Sequence, residues 1–128
     1  MVGPRIRVLL ADDSAITRRA LSDFLEGFPD IEIVGEAPSG SMAVDLTKLL
    51  VPDVVVMDIF MPEINGIDAT RVIRSELPQV AVVGLSMTEE ADYGDAMRQA
   101  GASDFVSKAA PPNEVITAIR ACGPMPRS

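Results

Sequence analysis

Asp12 and Asp13 follow the apolar run Arg-Val-Leu-Leu-Ala, and Asp58 follows Asp-Val-Val-Val-Met. Short runs rich in β-branched residues read as buried strands of a parallel sheet. The carboxyl ends of such strands open onto the edge where these sheets place their active sites. Carboxylates gathered there repel one another unless a cation sits among them, and a hard, oxygen-preferring divalent ion such as Mg2+ suits the cluster. Ser86 and Lys108 also stand just past apolar runs. An acid pair, one more carboxylate, a hydroxyl and an ammonium group are the parts for phosphoryl transfer onto a carboxylate. In that scheme Asp58 is the nucleophile and Ser86 donates a hydrogen bond. Lys108 and the cation neutralise the phosphoryl oxygens. Little covalent chemistry is asked of the chain, because positioning and charge do most of the work.

The elements that must position these groups follow one rhythm. Ile6 to Ala11, Ile31 to Ala37, Asp53 to Met57, Val80 to Leu85 and Asp104 to Ser107 read as strands. The polar alternation of the second run marks an edge strand. Helices are expected between and after them. The first starts at a Ser14 cap and carries Ile16, Ala20, Leu21, Phe24, Leu25 and Phe28 on one face. The second carries Met42, Ala43, Leu46, Leu49 and Leu50, and the third places Ile67, Val72 and Ile73 inward. The fourth runs from about Thr88 to Ala100 with a small apolar face of Ala91, Ala96, Met97 and Ala100, and Gly101 ends it. The last opens at Pro111-Pro112 and turns Val115, Ile116, Ile119 and Cys122 inward. Five strands alternating with five helices predict an α/β, doubly wound parallel sheet with right-handed crossovers. Residues 5–121 form one domain, and 122–128 read as a tail or the start of a linker.

Composition narrows the function classes. The chain has 128 residues, room for one domain with a real core. A net charge of -8 disfavours direct nucleic-acid binding by this domain. With no tryptophan and few aromatic residues, a base-stacking surface is also disfavoured. The absence of histidine removes imidazole acid–base chemistry and any phosphohistidine on this chain. No run spans a bilayer and no leader peptide is read, so no membrane role is expected. A single cysteine, Cys122, fits a reducing, cytoplasmic compartment.

Asp12-Asp13, then Met57-Asp58-Ile59-Phe60-Met61-Pro62 with Gly66, then Leu85-Ser86, then Phe105-Val106-Ser107-Lys108 resemble the signature of response-regulator receiver domains over nearly the whole chain. Gly101-Ala102-Ser103-Asp104-Phe105 and the Ala110-Pro111-Pro112-Asn113-Glu114 helix start are most similar to receivers of helix-turn-helix (LuxR/NarL-type) regulators or of hybrid histidine kinases. The resemblance implies a flavodoxin-like sheet of order 2-1-3-4-5. It implies that Asp58 accepts phosphate from a histidine kinase or histidine phosphotransfer protein. Mg2+ is then held by Asp13, Asp58 and the Phe60 carbonyl, with Asp12 helping through water. Ser86 and Phe105 are the implied switch pair, acting on the surface of the fourth helix, fifth strand and fifth helix to control an output domain or partner. Thr17, Ala20, Ala109 and Ala110 are the implied docking contacts. The resemblance also leaves room for a phosphorylation-dependent dimer. The chain counts as an enzyme only in assisting its own phosphorylation and dephosphorylation.

Taken singly, each residue has a plainer reading. Asp12-Asp13 suit a helix N-terminus, Ser86 suits a helix cap, Lys108 suits a solvated loop and Phe105 suits the core. Met42 and Met97 read as core fillers. Arg18, Arg19, Arg71 and Arg74 read as solvated helix faces. Three rival functions weigh against the receiver: a flavodoxin-type cofactor binder, a haloacid-type phosphatase and a pseudo-receiver that acts by binding alone. The first lacks a phosphate-cradling loop, since Asp12-Asp13 have the wrong charge. The second wants a carboxylate where Phe60 stands. The third would usually have lost one of the five polar residues, and all five are present. Ala109 stands where the family usually has proline, so a trans Lys108–Ala109 bond is expected, the cis form costing roughly 3 kcal/mol. Met87 stands where a small residue is common, beside the path to Asp58.

Overall fold

The computed structural model describes residues 5–87 and 91–124. Its elements are β1 (Ile6–Ala11), α1 (Ala15–Glu26), β2 (Ile31–Ala37), α2 (Gly40–Leu50), β3 (Val54–Asp58), α3 (Gly66–Glu76), β4 (Ala81–Ser86), α4 (Ala91–Ala100), β5 (Asp104–Ser107) and α5 (Asn113–Cys122). All four strand pairings are parallel, in the order β2-β1-β3-β4-β5. The fold is therefore the expected flavodoxin-like one. The order reverses at β1, so β1 and β3 lie side by side and their carboxyl ends share one crevice. The third strand starts one residue later than expected and takes in Asp58 itself.

The apolar pattern explains the layers. Val54, Val55, Val56 and Met57 are buried because the central strand is covered on both faces. On one face Val8, Leu10, Val54, Val56 and Leu85 meet Leu25 from α1 and Val115, Ile116 and Ile119 from α5. On the other, Leu9, Val55 and Met57 meet Ala43, Ile73 and Met97 from α2, α3 and α4. β2 is an edge strand, as its polar alternation predicts, with a register shift between Val8 and Leu9. Ser14, Ser39 and Asn65 each accept a backbone N–H at the start of a helix, which is why α1, α2 and α3 begin where they do.

Several expectations need correction. Ile16 is 84% exposed and Ala20 is exposed, because the first turns of α1 border an open groove instead of the sheet. In α2 the buried stripe is Ala43, Val44 and Thr47, so Met42 and Leu49 face outward. Thr47 is tolerated there because its hydroxyl donates to the Ala43 carbonyl at 2.6 Å. Met42 is therefore no core filler, whereas Met97 is fully buried. Arg18 and Arg74 are not solvated. Arg74 donates to the carbonyls of Pro78 and Val80 and packs against Gly101, whose φ of +114° suits glycine alone. Arg19 and Arg71 do face solvent. The expected start of the fourth helix at Thr88, the side chain of Ala91 and the Met125-Pro126 tail lie outside the described residues. No helix among the described residues is long and apolar enough to cross a membrane.

Candidate phosphoacceptor site

The sheet brings the three aspartates together. One carboxylate oxygen from each of Asp12, Asp13 and Asp58 lies within 4.8 Å of the others. Asp12 and Asp58 are buried and Asp13 is exposed, so the cluster opens to solvent on one side. Lys108, at the end of β5, reaches across to it. Its Nζ stands 2.7 Å from Asp12 Oδ2 and 3.4 Å from Asp58 Oδ2. The Asp12 contact is the shorter of the two, at the length of a charge-assisted hydrogen bond.

This crowding shows in the protonation equilibria. Burial, then the charge of Asp12, pushes the Asp58 pKa up to about 6, against the pull of Lys108. Burial works against the Lys108 charge, but the Asp12 and Asp58 carboxylates outweigh it and hold its pKa above the ordinary value. One ammonium group against three carboxylates leaves a net negative site. Hard oxygen donors, an excess of negative charge and an open side fit a divalent cation of the Mg2+ type.

Backbone geometry fixes the loop after β3. Gly66 packs so closely that a Cβ there would lie 1.9 Å from the Asp58 carbonyl oxygen, and its N–H donates to Ile59 at 2.7 Å. Gly40 is equally confined, its Cβ position 1.7 Å from the Ile64 carbonyl oxygen. Between them the Phe60–Asn65 loop is pinned from two sides. The Phe60 ring is half-exposed and meets Tyr93 of α4 edge-on, with centroids 5.2 Å apart.

Ser86 is fully buried at the end of β4, and its carbonyl accepts the Lys108 N–H at 2.8 Å. Phe105 is partly buried, not flung out to solvent. Its ring lies against the positions where Gly84 and Gly94 would carry a Cβ, at 2.8 and 3.2 Å, so two glycines make its slot between β4 and α4. Met87 is exposed. The Lys108–Ala109 bond is trans.

Of the four docking candidates, Thr17 and Ala20 line an apolar groove of about 280 Å³ with Lys108 and Pro112. Ala109 is exposed beside it, while Ala110 packs into the core under α5. Lys108 lines the groove and also contacts the carboxylates. Sequence reasoning missed Arg18, Glu36, Tyr93 and the glycine slot. Arginine on an amphipathic helix gives no signal that its head bends back to the backbone.

Known proteins share this arrangement. The family model of the response regulator receiver domain matches residues 8–120. The chain is 41% identical over 116 residues to the transcriptional regulatory protein LiaR of Bacillus subtilis, covering 91% of this chain and 55% of that protein. It is 38% identical to the transcriptional regulatory protein MctR of Rhizobium johnstonii, covering 91% and 54%. A protein-glutamate methylesterase/protein-glutamine glutaminase of Nocardioides is 46% identical over 84% of this chain but only 30% of its own length. The chain thus spans about half, or less, of these relatives. Among solved structures, the response regulator domain of Thermotoga maritima CheB superposes with a TM-score of 0.87 at 35% identity, covering 92% of this chain and 96% of that one. The receiver domain of NarL from Mycobacterium tuberculosis superposes with a TM-score of 0.89 at 28% identity, covering 94% and 97%.

Proposed function

From the premise that this chain belongs to the response regulator receiver domain family of two-component signalling, we propose that Asp58 is its phosphoacceptor. The observation that carries this is the buried Asp58 carboxylate, in one cluster with Asp12 and Asp13 and 3.4 Å from the Lys108 ammonium. A carboxylate oxygen of Asp58 attacks the phosphorus of a phosphohistidine on a histidine kinase or histidine phosphotransfer protein. A P–O bond forms, the P–N bond breaks, and the imidazole nitrogen leaves with the electron pair. Asp58 must be ionised to attack, and the Lys108 charge favours that form against burial and the charge of Asp12.

Asp12, Asp13, Asp58 and the Phe60 carbonyl would hold Mg2+, which when bound supplies positive charge against the phosphoryl oxygens. Lys108 neutralises further charge and keeps Asp12 and Asp58 from repelling each other apart. Ser86 donates its hydroxyl to a phosphoryl oxygen. That pull is coupled to Phe105, whose ring lies in the slot left by Gly84 and Gly94. The α4-β5-α5 face then changes shape and carries the signal to an output domain or partner, or across a phosphorylation-dependent dimer. The partner docks at the groove of Thr17 and Ala20 beside Lys108, with Ala109 at its rim.

In this reading residues 5–121 are the receiver and 122–128 the tail or start of a linker. The setting is cytoplasmic, and the chain assists only its own phosphorylation and dephosphorylation. The pseudo-receiver alternative is not favoured, since every polar group of the site is in place. The test is intact-protein mass after incubation with acetyl phosphate and MgCl2, and separately with a phosphorylated histidine kinase. One added phosphoryl group, absent in Asp58→Asn, is expected. No gain from either donor would overturn the assignment.

A further inference from the structure

Arg18 projects from α1 back over the acid loop. Its Nη1 donates to the Asp12 carbonyl at 2.6 Å, and its Nε to Glu36 Oε1 of β2 at 3.1 Å. The Arg18 side chain is only 17% exposed, whereas Glu36 stands at the surface. The Asp12 N–H in turn donates to the Ala37 carbonyl at 3.0 Å, and the Ser14 N–H to Asp12 Oδ1 at 2.8 Å. The Asp12 carbonyl belongs to the peptide unit that ends at the Asp13 nitrogen. A peptide unit is planar, so holding that oxygen holds the plane and the position of the Asp13 Cα, which narrows where its carboxylate can reach. Asp13 is the exposed member of the three, the one with least packing to orient it.

We propose that Arg18, anchored by Glu36, is a positioning residue that aims Asp13 at the cation and so sets the affinity for Mg2+. The proposal rests on the reading of Asp12, Asp13 and Asp58 as the metal site. Two effects of Arg18 oppose each other. Its positive charge near the cluster repels a second cation, while its grip on the peptide preorganises the ligands. Outer groups that orient metal ligands typically control 10–100-fold in affinity, and the Arg18 charge is offset by its ion pair with Glu36. The positioning effect wins.

The experiment is calorimetric titration of the full chain with MgCl2, with thermal unfolding in EDTA alongside. Arg18→Gln is expected to weaken Mg2+ binding about tenfold while leaving the metal-free melting temperature nearly unchanged. Glu36→Gln is expected to weaken it about threefold. Arg18→Lys keeps the charge but lacks the planar fork that spans both acceptors, so it restores only part of the loss. Binding within about twofold of the parent in both Arg18→Gln and Glu36→Gln would overturn the proposal, as would tighter binding in Arg18→Gln. A loss of affinity that Arg18→Lys fully restores would assign the effect to charge and overturn it too. Asp13→Asn is the control: undiminished Mg2+ binding there would overturn the metal-site reading itself, apart from the role of Arg18.

Discussion

Past β1, the acid loop is held by directed bonds: Asp12 to Ala37, Arg18 to Asp12, Ser14 to Asp12, and Thr17 to Ser14. Across the crevice, α4 is held differently. Met97 and the Phe105 ring pack against Gly84, Gly94 abuts the same ring, and Arg98 meets Asp104 at 3.8 Å across an exposed ion pair. Thr70 reaches the Met97 sulfur at 3.9 Å, a weak acceptor. Among the described residues the first flank is fixed by geometry and the second by side-chain packing. A cation site needs ligands in place before the cation arrives. A switch needs an element that can take two positions at similar free energy. Under the proposed function, the two flanks would meet these opposite needs.

The same chemical change against backbone beside Asp58 and against side chains beside α4 should expose the contrast. Gly66→Ala drives a methyl into the Asp58 carbonyl, a backbone atom that cannot yield, and is expected to cost about 3 kcal/mol in urea unfolding and to weaken Mg2+ binding. A loss below about 1 kcal/mol would mean that the backbone after β3 is softer than its geometry implies.

Next in size is the electrostatic strain at Asp58. With its folded pKa raised from 3.8 to about 6, the folded protein keeps a proton through that window that the unfolded chain releases. Stability from this group therefore falls as pH rises from about 4 to about 6, and the full penalty stands above it. In EDTA at pH 7.5, Asp58→Asn should stabilise the protein by on the order of 1–2 kcal/mol, with the gain vanishing towards pH 4. A gain that is flat across this range would mean that the stabilisation does not come from ionisation.

Gly84→Ala places its methyl 2.7 Å from the end of Met97 and 2.8 Å from the Phe105 ring, both able to move. The expected cost is about 1 kcal/mol, with faster hydrogen exchange in α4 and unchanged Mg2+ affinity. A fall in Mg2+ affinity would show that the flanks are not independent. Smallest is Gly94→Ala. Its methyl sits 3.2 Å from the ring, a mild squeeze that the helix propensity of alanine, worth about 1 kcal/mol over glycine, offsets. Melting temperature close to that of the parent is the expected result.

Much of this was legible in the residues. The strands declared themselves through β-branched runs, and Asp12, Asp13, Asp58, Ser86 and Lys108 fell at their carboxyl ends because doubly wound topology puts functional side chains there. Helix faces were read less well. Ile16 and Leu49 fit the helical period but not the burial, since periodicity gives a stripe and not its width or what covers it. Arg18 was unreadable for another reason. Its partner oxygen is a main-chain carbonyl, and a backbone acceptor leaves no mark in a sequence.

The contact between Phe60 and Tyr93 has a practical side. Tyr93 is the one tyrosine, and the chain has no tryptophan. Near-ultraviolet emission from this protein therefore comes from a single ring, seated against the second residue after Asp58. Under the proposed function, cation or phosphoryl binding at Asp58 is expected to alter that emission, with no label needed.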